Sequence, residues 1–335
     1  MRALHIAALQ KVALLFSGLG TETFYLILLP LVYWVWNRRI GARLGILLLV
    51  SVMVNDLFKL AFHLPRPFWV DASLVVPSAA QEWSFGFPSG HAQAAFMVWP
   101  YLALRATRKT LFLSLAFVLA ACIALSRLVL GVHWPLDVVG GTLIGLGILA
   151  FYEQLGASLE QNFRGRSLVV QMSLAVGFVL VCGAIGSFFI ERDAQQLAQM
   201  DIYRARLQPQ VIADGAATVG SSAHVAINAL ADAQASVVAR CAALLGLVVG
   251  LMFAPVGVAA GGNSRQITLR LLIGLVGVAF FYIALKKILP DVMVFRFVRY
   301  FLTTFWVAGA SLWVFRALGL AATRDALPVV PQPQQ

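Results

Sequence analysis

Residues 111–137, LFLSLAFVLAACIALSRLVLGVHWPLD, decide how the chain folds. Leu111 to Leu125 is an apolar run close to the roughly 17 to 25 residues that carry a helix across a bilayer. It ends on Ser126-Arg127, turns a short corner through His133, and gives way at Trp134 to another apolar run that reaches Tyr152. Pro135 suits the first turn of that second helix, where its missing N–H costs nothing. Two apolar helices joined by a corner rich in ionisable groups make the unit of the fold, and the pattern recurs along the chain.

Composition agrees. Of 335 residues, 61% are hydrophobic and 12% charged, and the mean hydropathy is +0.86, well outside the range of soluble domains. The expected fold is all-α, a polytopic transmembrane helical bundle of about nine spans. In the first half these are Glu22 to Trp36, Leu44 to Phe62, Ser89 to Leu104, Leu111 to Leu125 and Trp134 to Tyr152. In the second half they are Leu168 to Ile190, Ser236 to Ala259, Ile267 to Leu285 and Phe297 to Leu318. Residues 3–16 are mildly amphipathic and suit the interface. A Pro- and Ser-rich connection runs from His63 to Phe87, a polar loop from Glu191 to about Gly220, and a Pro/Gln-rich tail from Pro328 to Gln335. The organisation expected is a membrane core over 1–155, accessory C-terminal helices over 156–327, and a disordered tail over 328–335.

The net charge of +11 would suit nucleic acid if the basic residues formed a surface stripe, but most of them cap apolar segments in short loops. Cys122, Cys182 and Cys241 each lie in an apolar stretch with no metal or redox spacing. The N-terminus carries Arg2 and Lys11 without a short apolar core and small-residue cleavage site, so the first membrane helix is expected to be retained. Arg38, Arg39, Arg43, Arg105, Arg108, Lys109, Arg164 and Arg166 follow the first, third and fifth spans, whereas only Arg66 and Arg127 follow the second and fourth. The positive-inside rule puts the first set in the cytoplasm. Lys286, Lys287, Arg296 and Arg299 fit this scheme poorly, which leaves open a miscounted span or a role at phosphate or lipid headgroups.

The polar groups of the first half gather at the outer ends of its helices. Lys59 and Arg66 lie about two helical turns apart, so both face one side until Pro65 breaks the helix. In Pro88-Ser89-Gly90-His91, Ser89 is a good N-cap, and a helix N-terminus offers free N–H groups and a favourable dipole to phosphate. Gly90 lets the backbone approach closely. His133 and Asp137 stand one helical turn apart, so the carboxylate can hold one imidazole nitrogen while the other attacks. Three cations, a helix N-terminus, a His–Asp pair and a second His can neutralise, attack and protonate a phosphoryl group.

The blander readings are a snorkelling anchor for a lone Lys59 or Arg66, and a plain cap and turn for Ser89 and Gly90. Asp56, one turn before Lys59, is equally a functional carboxylate and an ion-pair partner of Lys59. His224 and Asn228 suit a packing hydrogen bond better than a substrate entrance. Trp69, Trp83 and Trp134 suit the interfacial aromatic belt.

Lys59 through Arg66-Pro67, then Pro88-Ser89-Gly90-His91, then Ser126-Arg127 through His133 and Asp137, resembles the three-part signature of the type 2 phosphatidic acid phosphatase superfamily. That resemblance implies an acid phosphatase/vanadium haloperoxidase-like core. It implies His133 as nucleophile, Asp137 as its orienting partner, His91 as general acid, and Lys59, Arg66, Ser89, Gly90 and Arg127 as phosphate-binding residues. It implies no metal and no cofactor. Weaker likenesses, at Gly20 to Tyr25, His224 with Asn228, and Leu271 to Lys287 with Arg299-Tyr300, are to sphingoid-base-phosphate phosphatases, and the nine-span layout is similar to that of glucose-6-phosphatases.

The expected activity is metal-independent hydrolysis of lipid phosphate monoesters, such as phosphatidic acid or a sphingoid-base phosphate, or of a polyprenyl phosphate or pyrophosphate, through a phosphohistidine. The alternatives are a glucose-6-phosphatase-like hydrolase, a lipid phosphotransferase, and a non-enzymatic anion or lipid transporter. The expected partners are a membrane lipid phosphate and bilayer lipids, with no nucleic acid. The C-terminal helices are left with three roles: supporting the first bundle, lining a portal, or forming a homodimer. The setting expected is an inner (cytoplasmic) or endoplasmic reticulum membrane, with the site on its periplasmic, extracellular or lumenal side.

Overall fold

In a computed structural model of the chain, residues 2–71, 74, 76–82, 84–196, 222–258 and 260–320 are described. Among them the regular elements are helical, without a strand. The helices are α1 (Arg2–Gly18), α2 (Glu22–Leu31), α3 (Arg38–Phe62), α4 (Pro67–Val70), α5 (Gly90–Ala103), α6 (Lys109–Val129), α7 (Pro135–Arg164) and α8 (Leu168–Gln196). Long helices over Ser222–Met252, Ser264–Ala279 and Met293–Phe305 follow. Among the described residues, 7 helical stretches are long and apolar enough to cross a bilayer, or up to 8 if the bent pair Ala8–Gly18 and Glu22–Trp36 is one span. The ninth expected span is α5, whose 14 helical residues are fewer than the roughly 17 to 25 of a typical crossing.

The chain divides into two compact units, the first drawn from Met1–Phe24 and Leu48–Cys241, the second from Tyr25–Leu47 and Ala242 onward. In the first unit, α5 packs against both α6 and α7. Small residues make this possible. Ala92, Ala124 and Val138 form one buried cluster, and Ala95, Ala120 and Ile123 form another. On α7, a Cβ at Gly141 would land on the carbonyl oxygen of Ser89, and one at Gly145 on that of Gln93. The two helices therefore touch backbone to backbone, the small-residue contact that holds helices together where lipid removes any hydrophobic drive. One result is a hydrogen bond from the Ser89 N–H to the Asp137 carbonyl, 2.9 Å, which ties the start of α5 to the start of α7.

α1 packs against α6, with Ala13 and Ser17 buried, while Leu9, Val12 and Leu15 stay exposed. α8 extends to Gln196, into the expected polar loop. The rest of that loop, the tail from Pro328, Trp83, and the side chains of His224 and Asn228 lie outside the described residues.

In the second unit, π-helical turns interrupt the helices at Val32–Trp36, Phe280–Ala284 and Trp306–Ala310. Such turns disturb the regular backbone ladder, and side chains meet carbonyls in and beside them. Tyr33 Oη donates to the Ala308 carbonyl (2.8 Å), Trp34 Nε1 to that of Val307 (3.0 Å), and Arg270 to that of Trp34 (2.8 Å). Of the basic residues that fit the charge rule poorly, Arg296 is paired with Asp291 at 3.0 Å and Arg299 is buried.

Candidate active site

The site lies in the first unit, where the ends of α3, α6 and the corner before α7 meet the start of α5. α3 carries Lys59 and ends at Phe62, just ahead of Pro65, which cannot continue it. Arg66 then caps α4, with Pro67 at the first helical position, and its side chain is fully buried. Ser89 caps α5, its hydroxyl 3.5 Å from the Ala92 N–H, a weak contact. Pro135 opens α7, and the Asp137 carboxylate accepts from the Trp134 N–H at 2.9 Å.

A continuous set of hydrogen bonds and ion pairs joins seven of the eight residues singled out by sequence. Lys59 Nζ donates to Ser84 Oγ at 2.8 Å. Arg66 donates to that same hydroxyl at 3.1 Å, to the carbonyls of Ser84 (2.6 Å) and Val132 (3.0 Å), and lies 3.1 Å from His133 Nε2. His133 Nδ1 sits 3.2 Å from Asp137 Oδ2. Asp137 meets Ser89 through the backbone bond already described, and Arg127 and His91 join through Glu82. The eighth residue, Gly90, leaves room for Asn55: a Cβ there would stand 3.3 Å from the Asn55 side-chain oxygen.

The His133 contacts settle its tautomer. Arg66 has no acceptor to offer, so its N–H points at a lone pair on Nε2, and the ring proton sits on Nδ1 facing Asp137. Burial disfavours the imidazolium, and the charge of Arg66 adds to the effect, so His133 is held well below its ordinary value and stays neutral. The group that faces the Arg66 guanidinium is thus an unprotonated nitrogen.

Several further polar residues surround these eight. Glu82 places one carboxylate oxygen 2.6 Å from Arg66 and the other 2.5 Å from Arg127, with His91 Nδ1 3.5 Å away. Burial opposes ionisation of this carboxyl, but Arg66 and Arg127 outweigh it and hold Glu82 well below the usual carboxylate range. Ser17 of α1 accepts from Arg127. Behind Gly90, Asn55 donates to the Pro88 carbonyl (3.2 Å) and to Gln93 Oε1 (2.9 Å), and Gln93 donates to Ser51 Oγ (2.9 Å). Asp56 faces Arg240 at 3.6 Å, in an ion pair that also takes in Glu22. Only Asp56, as a carboxylate at membrane depth, gave a signal in the sequence.

Comparison with known proteins points the same way. The model of the PAP2 superfamily matches residues 40–158, and that of the PAP2 superfamily phosphatase, transmembrane extension, matches residues 238–324. A probable sphingosine-1-phosphate phosphatase from Dictyostelium discoideum is 28% identical over 157 residues, 43% of this chain and 38% of that protein. The chain thus spans well under half the length of that relative. A putative undecaprenyl-diphosphatase, YbjG, from Escherichia coli (strain K12) is 34% identical over 145 residues, 41% of this chain and 71% of the relative. The crystal structure of a transmembrane PAP2 type phosphatidylglycerolphosphate phosphatase from Bacillus subtilis aligns with a TM-score of 0.36 at 26% identity, over 47% of this chain and 88% of that one. With the first family model lying over all eight residues singled out by sequence, and YbjG matched across most of its length, the chain belongs to the PAP2 superfamily.

Proposed function

We propose that the protein is a membrane phosphatase that hydrolyses lipid phosphate monoesters through a phosphohistidine on His133. The observation that carries this reading is the neutral, buried imidazole with Nδ1 turned to Asp137 and Nε2 turned to the Arg66 guanidinium. An anion-binding protein needs the cations but has no use for an oriented nucleophile. Lys59, Arg66, Arg127 and the N–H groups at the start of α5 hold the phosphate and neutralise charge on its equatorial oxygens. His133 Nε2 attacks phosphorus as the bond to the lipid oxygen breaks, and His91, which takes up a proton together with the bound phosphate, gives that proton to the departing alkoxide. Water then attacks the phosphohistidine, giving its proton to His91, and the P–N bond breaks to free the imidazole.

The basic residues after the first, third and fifth spans favour the periplasmic, extracellular or lumenal side for this site. Substrate enters from the bilayer with its headgroup among the cations. Relatives named for sphingosine-1-phosphate and for undecaprenyl diphosphate support a lipid phosphate over a soluble sugar phosphate. The test is covalent trapping with radiolabelled substrate. Wild type should take up label, His133→Ala should not, vanadate should inhibit and EDTA should have little effect. Label surviving in His133→Ala overturns the assignment, and equal rates on glucose 6-phosphate and micellar lipid phosphates overturn the lipid preference.

A further inference from the structure

We infer that Glu82 is an internal anion that competes with substrate for the phosphate position and must be displaced by it, so that it sets the affinity of the enzyme for phosphate. The inference rests on the phosphatase reading above. Geometry carries it. The two oxygens of one carboxylate are shared between Arg66 and Arg127, as two equatorial phosphate oxygens would be, and His91 Nδ1 stands beside the same oxygen as Arg127. Arg66 and Arg127 are fully buried, so without an anion between them two guanidinium charges would face each other out of water. Glu82 supplies that anion from the connection between α4 and α5, and its side chain remains 30% exposed.

A phosphate cannot share this place with a carboxylate. Both would use the same donors, and their like charges would repel at contact distance. Because Glu82 lies outside the helices and is partly exposed, it can turn to solvent when phosphate arrives. The binding-competent state is the one with Glu82 turned out, and apparent affinity is reduced by the fraction of time that state is populated. A permanent role for Glu82, orienting His91 as Asp137 orients His133, makes the opposite prediction, because its removal would then weaken the site.

The experiment compares full-length wild type with Glu82→Gln and Glu82→Asp, measuring dissociation constants for inorganic phosphate and vanadate by calorimetry in detergent. Glu82→Gln keeps the shape and removes the charge, and should bind both anions on the order of tenfold more tightly than wild type. Glu82→Asp, which keeps the charge on a shorter arm, should lie between them. Equal or weaker binding by Glu82→Gln overturns the inference while leaving the phosphatase reading intact. No binding by any form, wild type included, overturns the phosphatase reading itself. A measurement on wild type alone guards against a variant that fails to fold: saturating phosphate should raise amide exchange in the peptide around Glu82, and unchanged or lower exchange there also overturns the inference.

Discussion

The carboxylate of Asp137 lies 3.2 Å from Nδ1 of His133, and it reaches that nitrogen from the first turn of the helix into which His133 leads. The same oxygen accepts the Trp134 N–H, so one group both caps α7 and aims the imidazole. Position and tautomer of His133 are thereby tied to the start of a helix that packs backbone to backbone on α5.

Asp137→Asn keeps an acceptor at this point and removes its charge. With the amide oxygen standing where Oδ2 now takes both contacts, α7 should start where it does now. The ring keeps its place, but no negative charge supports the imidazolium that forms as Nε2 attacks. Phosphoenzyme formation should fall on the order of 10³-fold or more, with the unfolding temperature nearly unchanged. Rapid-quench labelling measures the rate, and a loss under tenfold would rule out that role.

How much of this was legible beforehand depends on the range of each contact. Hydropathy and helix punctuation outlined the bundle, and Lys59, Arg66, Ser89, Gly90, His91, Arg127, His133 and Asp137 stood out because residue type and helix-end position are local properties. Glu82 and Ser17 did not stand out. Each meets Arg127 from a distant stretch of chain, and no periodicity in the connection from His63 to Phe87 marks where Glu82 will point. Asp56 was read as a functional carboxylate or an ion-pair partner of Lys59, yet it pairs with Arg240 from the C-terminal half, beyond any local pattern. The packing of α1 on α6 was likewise out of reach, because the partner helix lies about a hundred residues further along the chain.

The glycines of α7 give a matched pair of substitutions. Gly141→Ala would drive a methyl into the Ser89 carbonyl and push α7 off α5, disturbing the bond from Ser89 to Asp137. Overpacking of this kind costs roughly 1–3 kcal/mol, and activity should fall with it. At Gly147 nothing stands within 4 Å of an added Cβ, so Gly147→Ala should be neutral or stabilising by up to about 1 kcal/mol. Unfolding temperatures in detergent together with turnover test this, and equal effects at both positions would contradict the close approach.

The buried amides behind Gly90 should show strong coupling. Asn55→Leu leaves Gln93 Oε1 and the Pro88 carbonyl without their donor, at a cost of about 1–3 kcal/mol. Replacing both amides, as in Asn55→Leu with Gln93→Leu, removes the unsatisfied side-chain partner along with its donor. The double variant should therefore be more stable than Asn55→Leu alone, as read from thermal unfolding. Additive losses would mean that the two side chains do not depend on one another.

The pH profile tests the state of His133. kcat/KM reports ionisations of the free enzyme, where burial first and Arg66 second hold His133 well below its ordinary 6.5. A lowered value means that the ring remains neutral and nucleophilic as pH falls through 6.5, so its acid limb must lie lower. A phosphate monoester has its own second ionisation near ~6, so profiles should be taken with two substrates of different phosphate acidity. A limb that moves with the substrate belongs to the substrate, and no fixed acid limb should remain at or above 6.5. Arg66→Gln removes the largest of the charges that lower it, so in the residual activity of that variant the fixed limb should shift upward. A wild-type limb fixed at or above 6.5 would mean that water reaches and protonates Nε2, which the 3% exposure of His133 and its contact with Arg66 do not allow.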